Sequence, residues 1–165
     1  TAGNVKYYAP AAGELRDIQT NEFSPGETEY QFTIISAEYP SMNFTFMHVD
    51  LIEELRAGGL VEAGQHIGYV VRPYGQGEIV TWINLGGGMV KNISFFDVIS
   101  DEVFAEYQAR GIESRSQMTI TREERDANSI ACHPDNGGGK FIATGDEQAF
   151  NLWQSGPDNW VFLTR

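Results

Sequence analysis

Three histidines and one cysteine are the side chains of this 165-residue chain that most readily carry acid–base, nucleophilic or metal chemistry. His48 and Asp50 stand two residues apart on a predicted strand, where alternate side chains point to the same face. Zinc takes imidazole nitrogens and carboxylate oxygens as ligands. His48 and Asp50 could therefore form a metal site with His66, provided that the fold brings the predicted turn at His66 to this strand.

Cys132 is followed directly by His133, which places a thiol next to a potential base. A catalytic Cys–His pair is brought together by the fold, whereas residues adjacent in the chain usually point apart. We therefore expect Cys132 to be a structural or exposed thiol. As the only cysteine, it cannot form a disulfide within the chain.

Aromatic residues are the second group that could contact a ligand. Rings next to polar side chains can stack on sugars or grip a peptide, and the same rings also serve as core or interface anchors. Both interpretations apply to Tyr7, Tyr8, Tyr39, Tyr74, Trp82, Trp153 and Trp160.

Strands must position most of these residues. Up to Val98 the apolar residues come in short runs broken by Gly, Pro, Asn and Asp, which is typical of a β-rich domain. Tyr30, Phe32 and Ile34 alternate with their neighbours, as do Phe44, Phe46 and His48, so one face of each strand is expected to be buried. The predicted strands are Val5–Tyr8, Gly13–Thr20, Glu29–Ser36, Asn43–Val49, His66–Arg72, Ile79–Leu85 and Ser94–Ile99.

Helices are few, and their ends can be recognised. Asp50 followed by Glu53, with Gly58 further on, predicts a two-turn helix with an Asp N-cap and a glycine stop. A second helix is predicted from the Ser100 cap to Gly111, and a third from Thr121 to about residue 128. The glycine triplet 86–88 is read as a hairpin turn.

Two regions follow from this pattern: a β domain over residues 1–99, and a helical, Trp-rich extension over residues 100–165 that packs on it. The last 26 residues of the chain carry too many apolar groups for a solvated tail, so we expect them to form a hairpin or short strands.

The charge balance excludes some classes of protein. The chain has 11 Lys and Arg against 23 Asp and Glu, a formal net charge of −12. Binding of duplex nucleic acid needs clustered Lys and Arg, and the arginines between residues 110 and 125 alternate with acids. No stretch approaches the roughly 20 apolar residues of a membrane-spanning helix. We therefore expect no nucleic-acid partner and no membrane insertion.

Three segments in order, residues 8–18, 46–51 and 60–70, resemble the lysostaphin/LytM-type zinc metallopeptidases, which cut peptidoglycan cross-bridges. In that family an apolar-Ala-Pro strand pair precedes a Tyr-x-His-Leu strand and a Val-x-x-Gly-Gln-x-Ile-Gly turn. The resemblance covers about residues 5–85. It implies a mainly β fold, a curled antiparallel sheet of the barrel-sandwich type that forms the family's duplicated hybrid motif, here with a small helical C-terminal extension.

The resemblance also implies where zinc ligands should stand. A His-x-x-x-Asp pair belongs just before Ala9-Pro10, where this chain offers only a few residues. The family's His-x-His strand falls on Glu78 and Val80, or with a one-residue slip on Ile79 and Thr81, and neither pair can hold zinc as histidines do. Of the family's catalytic set, only His48 remains.

The sequence is therefore interpreted as a non-catalytic, exported relative, extracellular or in the cell envelope, with no cofactor. Its former cleft around His48, Tyr74, Glu78 and Trp82 would bind a cell-wall peptide, a glycan or a partner protein. One alternative is an active zinc metallopeptidase whose ligands lie outside this chain or are relocated among His48, Asp50, His66, Glu78 and His133. Another is a structural subunit of an extracellular assembly, since oligomerisation through the aromatic-rich ends is compatible with this sequence.

Overall fold

A computed structural model describes residues 5–24, 27–71, 77–119, 121–127, 131–132, 141–142 and 163–164. The protein is mainly β, with a strongly curled antiparallel half-barrel sheet and short helices towards the C-terminus, which confirms the predicted fold class. The chain divides into two compact units, Thr1–Ile99 and Ser100–Arg165. The strands are β1 (Lys6–Tyr8), β2 (Gly13–Ser24), β3 (Glu27–Ser36), β4 (Met42–Leu51), β5 (Gly59–Val61), β6 (His66–Val70), β7 (Glu78–Gly86), β8 (Met89–Ile93), β9 (Ala131–Cys132) and β10 (Phe141–Ile142), and the helices are α1 (Phe95–Val98), α2 (Asp101–Gln108) and α3 (Arg122–Ala127).

The main sheet has the order β1-β6-β4-β3-β2-β5, with β7 paired to β4 and β8 paired to β7. One face carries the core, as the alternation of apolar residues predicts: Phe32, Ile34 and Phe46 are fully buried, and the rings of Phe32 and Phe46 stack at 5.2 Å. The alternation of His48 with Phe44 and Phe46 is wrong, because β4 carries an extra residue at 47–48 and Val49 takes the next buried position. Alternate residues of the same strands, among them Thr33 and Thr45, lie on the other face, which we call the polar face.

Two bulges, one on each side of β3 and opposite neighbouring residues of that strand, curl this sheet. Residues 17–18 of β2 lie opposite a single residue of β3, and residues 47–48 of β4 lie opposite the residue next to it. Asp17 and His48 adopt positive φ angles, 55° and 60°. A bulge bends its strand and increases the local twist. Because both neighbours of β3 bulge at the same height, the sheet turns sharply there.

Strand β4 changes its hydrogen-bonding partner along its length. Residues 42–47 pair with β7, and residues 49–51 pair with β6. The change takes place at His48, so β6 and β7 diverge from β4 at this residue. The bulge therefore marks the point where the sheet forks.

The helix predicted with an Asp50 N-cap is wrong. Asp50 belongs to β4, where it pairs with Tyr69, and only a short 3₁₀ turn follows at Glu53–Leu55. Leu51 is fully buried in the sheet. Burial of Leu51 and pairing with β6 outweigh the capping signal and keep the strand extended to this residue.

The strand predicted at Ser94–Ile99 is also wrong. This segment forms helix α1, and the Ser94 side chain accepts a hydrogen bond from the backbone N–H of Phe96. The predicted hairpin turn is confirmed: Gly86, Gly87 and Gly88 all have positive φ angles and connect β7 to β8. Strands β5 and β8 were not predicted.

The second unit is described in part. Helix α2 begins after Ser100, whose side chain accepts from the N–H of Val103, and α3 also lies where the sequence predicts a helix. Near the chain end, Thr164 exchanges two bonds with Arg110: its N–H donates to the Arg110 carbonyl at 2.8 Å and its carbonyl accepts from Arg110 Nε at 3.2 Å. The packing predicted for the other residues of the last segment lies outside the described residues, apart from the short pair β9–β10.

Candidate ligand-binding face around His48

His48 is held by a buried carboxylate. Its Nδ1 lies 2.8 Å from Oε2 of Glu29, across the pair of strands β3 and β4. Only 10% of the Glu29 side chain is exposed, against 37% for His48. A buried carboxylate is costly unless it is hydrogen-bonded, so this contact fixes both side chains.

The pairing also determines which ring atom can meet a ligand. A carboxylate only accepts hydrogen bonds, so Nδ1 of His48 carries a hydrogen and donates a hydrogen bond to Glu29. In the neutral ring Nε2 is then the acceptor, and it has no hydrogen-bond partner among the described residues. A histidine with one nitrogen fixed by a carboxylate and the other free to accept is the arrangement that orients a binding or acid–base group.

The backbone at His48 adds a second indication of function. A positive φ angle is uncommon outside glycine and costs a non-glycine residue of the order of 1 kcal/mol. Glycine or asparagine would fit this bulge with less strain. The histidine therefore occupies a position where its side chain, not its backbone preference, explains its presence.

Glu78 and Trp82 lie on the polar face of β7, where they face residues of β4. Glu78 is paired with Met47, directly beside His48, and Trp82 is paired with Asn43. The indole N–H of Trp82 donates to Oγ1 of Thr45 at 2.9 Å. Thr45 Oγ1 in turn lies 2.9 Å from Thr33 Oγ1, so the indole is tied to β3 as well as β4.

Three of the four predicted ligand-binding residues thus share one face, while Tyr74 lies outside the described residues. Just before β7, Gly77 lies against Tyr7, where a Cβ would overlap the Tyr7 hydroxyl. Burial raises the pKa of Tyr7 above its ordinary value, so its hydroxyl remains neutral at physiological pH.

The three residues of the first candidate metal site are engaged separately. His66 Nε2 lies 3.0 Å from the carbonyl oxygen of Gly68, and its ring contacts Tyr69 at 4.6 Å. Asp50 faces Arg56 at 3.5 Å. Across the described part of the chain, no three His, Cys, Asp or Glu side chains lie close enough together to hold a metal ion. His133 lies outside the described residues.

An open groove of about 510 Å³ lies elsewhere, between the β2 bulge and the turn before β5. Arg16 and Arg56 line it, but both are already engaged. Arg16 binds Glu14 at 2.6 Å, which lowers the pKa of that carboxyl, and Arg56 Nε donates to the Leu51 carbonyl. None of the predicted ligand-binding or metal-binding residues lines this groove.

Glu29 is the residue of the candidate site that the sequence did not predict. It begins a predicted strand, and nothing in its spacing links it to His48, 19 residues further along. Alternation with the core residues Tyr30 and Phe32 places Glu29 on the face opposite the core, but His48 reaches that face only through the bulge in β4.

Comparison of the chain with family models, with curated proteins and with solved structures gives no match. In the described part of the structure, no helix is long and apolar enough to cross a membrane.

Proposed function

We propose that this protein is a non-catalytic, exported relative of the lysostaphin/LytM peptidases, located outside the cell or in the cell envelope, which binds a peptidoglycan peptide, a glycan or a partner protein. The ligand lies on the polar face at the fork between β6 and β7. The observation that carries this proposal is the His48–Glu29 pair, a strained histidine fixed by a buried carboxylate and open at Nε2.

The chemistry of this face favours a ligand rich in hydrogen-bond donors. His48 Nε2 can accept a hydrogen bond from a ligand. The exposed carboxylate of Glu78, which is paired with Met47 next to His48, can accept further hydrogen bonds. Peptide N–H groups, ammonium groups and sugar hydroxyls all donate. The half-exposed ring of Trp82, fixed by its bond to Thr45, offers a flat surface at the other end of the same face.

The register of β7 supports a binding role over a peptidase role. Glu78 and Val80 pair with Met47 and Thr45, so these two residues are the ones that share the polar face with His48. Val80 has no atom that can bind a metal. Thr81, from the slipped alternative, is buried, with 2% of its surface exposed, and alternates onto the core face.

The proposal is tested by co-sedimentation with purified, insoluble peptidoglycan sacculi. His48→Asn is the test variant, because asparagine tolerates a positive φ angle but cannot reproduce the Nε2 acceptor. We expect it to reduce the sedimented fraction at least about tenfold, the equivalent of about 1.4 kcal/mol. Tyr39→Ala, which removes an exposed aromatic ring from a different turn, is the control and should bind as the parent protein does.

Equal sedimentation of the parent and His48→Asn proteins contradicts the proposed site. The active-enzyme alternative has its own readout. About one zinc per chain by elemental analysis, together with release of soluble fragments from the sacculi, would replace the binding role with a hydrolase.

A further inference from the structure

The tip of the β7–β8 hairpin extends beyond the rest of the sheet. Met42 and Ile83 are the last pair between β4 and β7, and beyond them Asn84 pairs with Val90 and Gly86 with Met89. One further backbone bond joins the N–H of Asn84 to the carbonyl of Ser41. We call residues 84–91 the ribbon. A ribbon of two strands is marginally stable in water unless more strands or a packed face support it.

The ribbon exposes large apolar side chains. Leu85, Met89 and Val90 are 56%, 62% and 59% exposed. Single exposed apolar residues are ordinary, but these three lie within one hairpin. Their clustering makes the ribbon a candidate contact surface.

Strand β8 is also a free edge. Within the described residues it pairs only with β7, so its outer row of N–H and C=O groups has no strand partner there. Proteins protect such edges with charges, prolines or bulges, because an open edge is a template for another strand. Lys91 is the only charged residue in β8.

The charge pattern identifies what can approach this edge. The chain carries a net charge of −12, yet residues 79–96 contain neither Asp nor Glu. Two copies of so acidic a chain repel each other over most of their surface. The hairpin lies in the longest stretch of the chain without an acid, and it also offers exposed apolar side chains for contact.

We propose that two copies of this protein associate through antiparallel pairing of their β8 strands, which joins the two hairpins into one four-stranded sheet. A two-fold axis at Val90 places the two Val90 side chains together and sets Lys91 opposite Met89 of the second copy. An axis at Lys91 would place like charges directly opposite, which is unfavourable. The pairing is independent of the ligand face proposed above.

The contact is small, so we expect a weak dimer. A few residue pairs from each copy bury less than the roughly 1,200 Å² of a stable interface. Salt should strengthen the association, because it screens the repulsion between two acidic chains while leaving apolar contacts and backbone hydrogen bonds intact.

The test is sedimentation equilibrium of the whole chain from about 10 µM to about 1 mM, in about 50 mM and about 500 mM NaCl. The expected result is a monomer–dimer equilibrium whose dissociation constant falls at high salt. Val90→Glu should raise that constant at least about tenfold, because it brings two acids together at the axis. Leu60→Glu is the matched control: it makes the same charge change on edge strand β5, where Leu60 is 80% exposed, and should leave the dimer unchanged.

Three outcomes would overturn the proposal. A chain that is monomeric under all these conditions has no such interface, and its edge then serves a different protein. A dimer that Val90→Glu leaves intact uses another surface. A dimer that dissociates as salt is added depends on opposite charges rather than on the acid-free hairpin.

Discussion

Asp17 and His48 share a backbone conformation but not a role. Both belong to bulges beside β3, Asp17 as the first residue of one and His48 as the second residue of the other, with nearly equal positive φ angles. His48 is bonded to a buried carboxylate, whereas the exposed Asp17 is not. Glycine substitution at the two positions therefore separates the strain of the positive φ angle from the contribution of the His48–Glu29 contact to stability.

Asp17→Gly is expected to raise the free energy of unfolding by about 0.5 kcal/mol, because glycine adopts a positive φ angle without strain. His48→Gly relieves the same strain but leaves Glu29 buried without a partner, and should lower that free energy by about 1–2 kcal/mol. Urea unfolding of both variants checks the pair. Stabilisation by His48→Gly would show that the bond to Glu29 contributes little.

Two buried threonines give a second contrast. Thr81 Oγ1 has no hydrogen-bond partner among the described residues, while Thr33 Oγ1 is bonded to Thr45. Thr81→Val replaces an unsatisfied hydroxyl with a methyl group of the same shape, and should stabilise the protein by about 1 kcal/mol. Thr33→Val is the control and should destabilise it by a similar amount. Equal effects of the two substitutions in urea unfolding would contradict this assignment.

The site could be predicted from the sequence only in part. His48 was found through a family motif, Glu78 by counting from the Ile67-Gly68 turn to the position of the family's next strand, and Trp82 as an aromatic residue of that same segment. Glu29 could not be found that way, because its contact depends on the bulge that turns His48 towards β3. No periodicity argument predicts which strand of an alternating sheet will carry an extra residue.

At the scale of elements, β4 is the strand on which the sheet depends. It bonds to β3 along one edge and divides its other edge between β7 and β6. The β6 contact is close at Gly68, where a Cβ would lie 2.6 Å from Val49 Cγ1 and 2.7 Å from the Asp50 carbonyl oxygen. A larger residue there would force the two strands apart.

Gly68→Ala is therefore expected to destabilise the protein by about 2–3 kcal/mol through overpacking. Gly88→Ala is the comparison, because Gly88 has a positive φ angle of 79° but open space where the Cβ would lie. It should cost only the conformational part, about 1 kcal/mol. The Gly68→Ala protein should therefore unfold at a lower temperature than the Gly88→Ala protein, and the difference between their midpoints reports the steric cost of a Cβ between β4 and β6.

The strands were predictable where one face is buried. Every strand candidate except Ser94–Ile99 overlaps an observed strand, because alternation of apolar and polar residues is a reliable signal in β2, β3 and β4. Strand β8 was missed because nearly all of its residues are exposed on both faces, which leaves no alternation to detect. Helix α1 was missed because its aromatic pair, Phe95-Phe96, resembles a strand until the Ser94 cap is taken into account.

At the scale of the whole molecule, the charge of −12 opposes the compact state. The described ion pairs are few and mostly exposed, such as Arg16–Glu14 and Arg122–Asp126, so they offset little of this repulsion. Stability should therefore depend on ionic strength in the direction set by the net charge.

We expect the midpoint of thermal unfolding to rise as NaCl is added, most steeply below about 0.15 M, where the Debye length shortens from about 30 to about 8 Å. The measurement is made at micromolar protein, where the weak dimer proposed above is dissociated. A midpoint that falls with salt would show that attraction between the ion pairs outweighs the repulsion.

The exposure of β8 has a consequence for the carbohydrate that a host cell could attach. The chain contains two N-glycosylation sequons, Asn43-Phe44-Thr45 and Asn92-Ile93-Ser94. Asn43 is 4% exposed in the centre of the sheet, and its side chain donates to the Ser41 carbonyl, so a glycan there is incompatible with the fold. Asn92 lies exposed on the free edge strand, where a glycan can be accommodated. Secretion from a eukaryotic host would thus yield folded protein only from chains unmodified at Asn43, and a sugar at Asn92 would block the edge on which a second copy is proposed to pair.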